Sequence, residues 1–259
     1  ATAAVAIAAL GASVALVAAV GDDEPGQALR AELTAAGVDC AHLDVVPGRT
    51  AESLVLVDRA TVTRTIVHAP GAAPGPLGAR ARELCATAAW VHVDHVGYSL
   101  AVDVERGRLS VDAGNPVDGL ELDGLALYAP TRAALEARYP GREPIDAVRA
   151  ALDEGARRVA VTLAGGGAMA ADATGAWRIA AHPVAVASTL GAGDVFHGAL
   201  VASLAGGHPL ADALRRANAA AALSCRSIDA RSAIPNATEL DAALAGAPLV
   251  EGIVLEGSR

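Results

Sequence analysis

No lysine occurs anywhere in the 259 residues; all 20 cationic side chains are arginines. That absence excludes pyridoxal-phosphate and other Schiff-base chemistry, the Walker A lysine and the strand lysine of protein kinases. Aromatic residues are nearly as scarce, at 2%, and acidic residues outnumber basic ones 29 to 20. A chain with a formal charge of -9 and so few rings is not equipped to grip a phosphate backbone or stack bases, so nucleic acid is not an expected partner. The three cysteines, Cys40, Cys85 and Cys225, lie far apart, with no CxxC pair and no histidine at ligand spacing. They read as small buried hydrophobes in a reducing cytoplasm, and no protein metal-ligand set is expected.

What is present is apolar. A hydrophobic content of 53% over this length supplies the core of a single α/β domain spanning 1–259. The opening run Ala1 to Val20 has the length of a membrane span, yet it lacks a cationic start, is mostly weakly hydrophobic alanine, and is cut by Gly11. A helix from Ala1 to Leu10, a glycine turn and a buried strand from Ser13 to Val20 fit it better, so no membrane is expected. A chain that starts inside a helix also suggests that an upstream segment is missing.

Pro25 and Gly37 punctuate an amphipathic helix between them. Between Thr50 and His68 the apolar period changes to two, around a short polar turn at Asp58 to Thr61, which reads as a hairpin. From Leu77 onward helix and strand patterns alternate. Strands are expected at Trp90 to Val93, Leu109 to Asp112, Leu125 to Tyr128 and Arg158 to Leu163. Helices are expected before Ala88, near Ser99 to Arg106, at Thr131 to Arg138 and at Ile145 to Glu154. Such alternation implies a mainly parallel sheet with helices on both faces. A second hairpin (Gly167 to Asp172, Ala176 to Ala181) and two long helices (Ala192 to Ala205, Leu210 to Cys225) follow.

The chemistry concentrates between Val184 and Leu200, read as an apolar strand, the stretch Ser188-Thr189-Leu190-Gly191-Ala192-Gly193-Asp194-Val195-Phe196-His197-Gly198, and a helix. Small residues at a helix N-terminus let successive amides approach an anion, which makes an oxyanion or phosphate cradle. Asp194, in the first turn beside that cradle, is either a general base for an attacking hydroxyl or a helix-capping carboxylate. His197 reads as a helix-surface residue. Asp94, His95 and Tyr98 follow a strand at the end where open α/β sheets place ligands, and are either substrate-facing or ordinary turn residues.

Thr189 to Phe196 resembles the second signature of the ribokinase (PfkB-type) carbohydrate kinases, D-T-x-G-A-G-D-x-F. Val20-Gly21-Asp22-Asp23 with Gly26, Gly37-Val38-Asp39 and Asp112-Ala113-Gly114-Asn115 resemble other family segments. Thr162-Leu163-Ala164-Gly165-Gly166-Gly167 is similar to the family's nucleotide strand, and Ala217-Asn218-Ala219-Ala220-Ala221 to the helix bordering the adenine. The resemblance implies a three-layer ribokinase-like fold with a small β lid, for which about 50–68 is the segment. It implies an ATP-dependent kinase of a small sugar, related polyol or sugar acid. By the same resemblance Asp194 is expected to take the hydroxyl proton, with Gly191, Ala192 and Gly193 holding the developing phosphoryl charge. Thr162, Gly165, Gly167, Thr189 and Asn218 lie on the nucleotide side; Asp23, Asp94 and Tyr98, with Asp194, on the sugar side. The cofactors implied are ATP and Mg²⁺, and the assembly a homodimer.

The chain departs from the family pattern in places. Ser188 and Asp229 stand where the family has a cation-loop Asp and a Gly, which puts potassium activation in doubt. Thr131 to Ala134 lacks both functional side chains of the family's magnesium-ordering N-x-x-E, so magnesium is expected to be held mainly through nucleotide phosphates. A non-catalytic sugar- or nucleotide-binding protein of the same fold is the competing reading. A Rossmann oxidoreductase is not supported, because Val20-Gly21-Asp22-Asp23 is not the required glycine-rich turn.

Overall fold

The computed structural model describes residues 1–58 and 63–253. The chain opens with α1 (Thr2–Ala9), β1 (Ala18–Gly21), α2 (Glu24–Ala35) and β2 (Leu43–Val46); β1 and β2 form a parallel pair of their own. The α2 helix starts where the sequence signals it, with Pro in its first turn and Asp23 as N-cap, accepting from the Gly26 amide at 3.0 Å. The expected strand from Ser13 is shorter: only Ala18–Gly21 pairs as a strand, and Ala15 makes a lone bridge to Asp39.

Next comes the hairpin of β3 (Glu52–Asp58) and β4 (Thr63–Ala69), a separate antiparallel sheet. Of its expected polar turn at Asp58 to Thr61, residues 59–61 lie outside the described residues. Its base is fastened. The Asp23 carboxylate accepts from both the Thr50 amide (2.8 Å) and the Thr50 hydroxyl (2.6 Å), and the Ala72 amide donates to the Arg49 carbonyl. The blade beyond is bare, with Leu54 61% and Val67 54% exposed on cross-strand partners of one face.

After α3 (Ala79–Thr87) the main sheet begins: β5 (Val91–Val93), β6 (Leu109–Ala113) and β7 (Leu127–Pro130), then α4 (Arg132–Arg138), α5 (Pro144–Asp153) and β8 (Arg158–Thr162). These four strands run parallel. All four residues of β7 are buried, as the continuous apolar run of a strand covered on both faces requires. Then β9 (Ala168–Asp172) and β10 (Gly175–Ile179) form the second hairpin, α6 (Ala192–Ala205), α7 (Leu210–Ser224) and α8 (Ala237–Leu244) follow, and β11 (Glu251–Ile253) closes the order β11-β10-β9-β8-β7-β6-β5. One core, built on Phe196, Leu200, Leu214 and Leu240, lies between the sheet and α6 to α8. A second, around Leu109, Tyr128, Leu135 and Val148, lies under α4 and α5.

Two expected elements are absent. Residues 99–106 form no α-helix; the connection from β5 to β6 is made of 3-10 turns at Tyr98–Leu100 and Arg106–Arg108, and Val102 is 80% exposed. The apolar run at Val184 forms no strand, because β10, the neighbour it would need, already pairs with β9 on one side and β11 on the other. It is tied instead through the Ala187 and Ser188 amides to the Cys225 carbonyl.

Helix α1 crosses α6 at Gly198, where an added Cβ would lie 2.4 Å from the Ala3 carbonyl oxygen. Gly198→Ala is expected to destabilise the protein by about 1 to 3 kcal/mol, because backbone rather than a flexible side chain must give way. Denaturant unfolding checks this; an unchanged midpoint would contradict the crossing.

Candidate active site

The start of α6 is shaped by Gly191, whose left-handed backbone (φ +72°) turns the chain into the helix as its N-cap. A side chain there would collide with Ala230, whose Cβ would be 2.6 Å away, so the 227–232 loop packs directly beneath the turn. That loop is held by the Asp229 carboxylate, which accepts from the Arg231 and Ser232 amides and the Ser227 hydroxyl. These bonds hold Asp229 far below the usual carboxylate range. The Ser188 hydroxyl accepts from the Leu190 amide at 3.1 Å on the other side of the turn. Amides in the first turn of a helix have no intrahelical acceptor, so those of Gly193 and Asp194 remain available to an anion. An added Cβ on Gly193 would meet nothing within 4 Å, so this side of the turn is open.

Asp194 is the third residue of α6. Burial raises its carboxyl above the ordinary value, and repulsion from Asp112 and Asp94 adds to the rise, partly offset by His197. The structure thus brings Asp194 and Asp94 into one electrostatic neighbourhood, at the C-terminal ends of β5 and β6, where ligands bind in open α/β sheets.

His197 is not on the surface. It is 2% exposed, because α6 is buried from Val195 to Val201, and its Nδ1 sits 2.8 Å from Oδ2 of Asp112. Burial alone would raise Asp112; the His197 imidazole and the Gly114 amide outweigh it and bring its carboxyl down to about 2. His92 on β5 joins them, its ring centroid 5.9 Å from that of His197 and its Nδ1 2.9 Å from the Ser110 hydroxyl. Desolvation, with His197 beside it, lowers His92 to about 4, so it is neutral at physiological pH. A metal-ligand spacing is invisible along a chain when the three residues sit on two strands and a helix. The available signal was α6 itself: a helix apolar all round is buried, so a lone histidine in it needs a partner.

The remaining predicted residues hold the framework of the site. Thr162 ends β8 and bridges to Thr131. Gly165 lies in the turn Ala164–Gly166, and Gly167 adopts φ +90° with its backbone against the Ile179 carbonyl. Asn218 of α7 donates from Nδ2 to the Ala180 carbonyl at 2.9 Å, so Gly167 and Asn218 fix the same exit from β10. Thr189 sits in the turn before Gly191. Asp94 accepts from the Val96 and Gly97 amides, forming its own turn, and the Tyr98 hydroxyl accepts from the Glu121 amide at 3.2 Å. Asp23 has both oxygens engaged at the base of the hairpin, which gives it a stapling role there.

The family model of the pfkB family carbohydrate kinases matches residues 1–105 and 129–237, the second stretch containing the whole amide cradle. The chain belongs to this family. Its enzymatic class is therefore that of an ATP-dependent carbohydrate kinase. Solved structures agree in fold. A protein of Agrobacterium tumefaciens assigned as a ribokinase is 26% identical with a TM-score of 0.81, over 95% of this chain and 84% of that one. Ribokinase of Arabidopsis thaliana, in complex with ribose and ATP, is 23% identical with a TM-score of 0.83, over 94% and 85%. A protein of E. coli assigned as ribokinase II, in complex with ATP and magnesium, is 22% identical with a TM-score of 0.83, over 95% and 87%. Among the described residues of this kinase, no helix is long and apolar enough to cross a membrane. In the segment expected to order magnesium, Thr131 is the N-cap of α4, its hydroxyl accepting from the Ala134 amide at 3.2 Å, and neither Thr131 nor Ala134 has a carboxylate to offer.

Proposed function

We propose that the kinase transfers the terminal phosphoryl group of ATP to a hydroxyl of a small sugar, related polyol or sugar acid, with Asp194 as general base. The observation that carries this is a half-buried carboxylate, raised by burial, in the first turn of a helix whose first amides have no intrahelical acceptor. Asp194 takes the proton from the attacking hydroxyl, the new bond forms between that oxygen and the γ-phosphorus, and ADP leaves. The Gly193 and Asp194 amides stabilise charge on the transferred group without reorganising, where electrostatic catalysis is most effective. Magnesium, when bound, would neutralise phosphate charge, and with no carboxylate at Thr131 or Ala134 it would be held mainly through nucleotide oxygens.

Incubation with ATP, Mg²⁺ and a panel of aldoses, ketoses, polyols and sugar acids, read as sugar-dependent ADP release, tests this reading. Saturable turnover with at least one acceptor is expected. Tight binding of sugar and nucleotide without turnover would favour the competing view, a protein of this fold that binds but does not react.

The exposed blade of the β3–β4 hairpin supports a lid over the sugar side and pairing with a second copy of the chain. Two strands alone are too few to be stable with apolar residues bare. Replacing Leu54 and Leu56 with Asp is expected to weaken association and raise KM for the sugar more than KM for ATP. Sedimentation of the unaltered protein as a monomer at micromolar concentration would remove the dimer, leaving the lid to the kinetics.

A further inference from the structure

His92, Asp112 and His197 come from β5, β6 and α6, and their ligand atoms all lie within 4.8 Å of one another. His92 and Asp112 are already oriented by a neighbour in the way that ligands are oriented in built metal sites. The Ser110 hydroxyl holds Nδ1 of His92 at 2.9 Å, which leaves Nε2 free. The Gly114 amide holds Oδ1 of Asp112 at 2.9 Å, which leaves Oδ2 facing His197. His197 is the unsettled member. Its Nδ1 is 2.8 Å from that oxygen yet off the line of a well-directed hydrogen bond, and its Nε2 has no partner among the described residues, although the ring is 2% exposed. An imidazole buried with both nitrogens unsatisfied is costly, and a cation between it and the Asp112 carboxylate would satisfy it.

We propose that His92, Asp112 and His197 bind a borderline divalent transition-metal ion of the Zn²⁺ class. Two imidazoles and one carboxylate suit Zn²⁺ or Co²⁺, and are a poor donor set for Mg²⁺, which prefers oxygen ligands. Ligand bonds of about 2.0 to 2.2 Å place ligand atoms roughly 3.3 Å apart around a tetrahedral ion, so side-chain rotation closes the widest separation and opens the 2.8 Å His197–Asp112 contact when the ion enters. The ion ties α6, three residues beyond Asp194, to the two strands that carry the rim of the site. It is distinct from nucleotide-borne magnesium, and its presence does not depend on whether the protein turns over a sugar.

The test uses the full chain, stripped with a chelator and dialysed, without sugar or nucleotide. Titration with Co²⁺ is expected to give ligand-field absorption that saturates at about one ion per chain and is displaced by Zn²⁺, and His92→Gln and His197→Gln are each expected to weaken binding at least tenfold. Because His197 is deep in α6, its variant is paired with a second measurement on the milder one: Zn²⁺ is expected to raise the melting temperature of the unaltered protein but not of His92→Gln. Absence of saturable Co²⁺ binding would overturn the proposal. So would binding or thermal stabilisation that persists unchanged in His92→Gln, which would place the ion on surface groups elsewhere.

Discussion

Asp194→Asn is expected to lower kcat by roughly 10² to 10⁴, the range for loss of a positioned general base, while nucleotide affinity changes little. The amide oxygen preserves shape but cannot accept the hydroxyl proton. Its stability should move the other way. In the folded protein, burial and the neighbouring Asp112 carboxylate raise the Asp194 carboxyl, so its ionised form is less favourable there than in the unfolded chain. Above both values the unaltered protein carries that penalty and the Asn variant does not, so the inactive variant should unfold at an equal or higher temperature at neutral pH. The acid limb of kcat/KM for the unaltered enzyme should likewise lie above the ordinary carboxylate range, since the base must be ionised to act. Groups facing it are Asp112, Asp94 and His197, and Asp112 is the largest charge contribution among them. Near-normal turnover by Asp194→Asn would remove the base assignment, and loss of activity together with a fall in melting temperature would mark a folding defect instead.

The parts legible in the sequence are those where local chemistry decides structure. Helix α6 spans Ala192–Ala205, the range read from glycine punctuation and the apolar run, and Pro25 and Asp23 mark the start of α2 as capping rules require. The segments misread are those where tertiary partners decide. Ser99 to Arg106 has helical periodicity, but its path is set by the crossing from β5 to β6 and by Tyr98 reaching the Glu121 amide, so it breaks into 3-10 turns. The run at Val184 looks like a strand, yet β10 has no free side for it. The three-residue β11 is too short to carry a period. Within the site, the cradle and its carboxylate are contiguous and could be read directly. The pairing of His197 with Asp112 joins positions 85 residues apart, by subtraction of their numbers, and depends on β6 passing beneath α6, so no local pattern shows it.

The two glycines of the cradle are expected to fail differently when each is replaced by alanine, because only one of them is held by its backbone. At Gly191 the left-handed φ of +72° costs a non-glycine residue roughly 1 to 2 kcal/mol, and the new Cβ would press to 2.6 Å from that of Ala230. The turn must shift against the 227–232 loop, which the Asp229 carboxylate holds, and the helix start moves with it. A displacement near 1 Å in a phosphoryl-positioning group is sufficient for about a 10²-fold loss of kcat, so Gly191→Ala should lose both activity and melting temperature. At Gly193 the backbone is ordinary and a methyl group meets nothing within 4 Å, so Gly193→Ala should fold as well as the unaltered protein, or slightly better given alanine's helix propensity. Its methyl group instead intrudes on the space assigned to the transferred phosphoryl, so kcat should fall with the melting temperature intact. Paired measurements of kcat and thermal unfolding separate the two. If Gly193→Ala retained full activity, the phosphoryl group could not lie against that amide, and the cradle would have to be redrawn without Gly193.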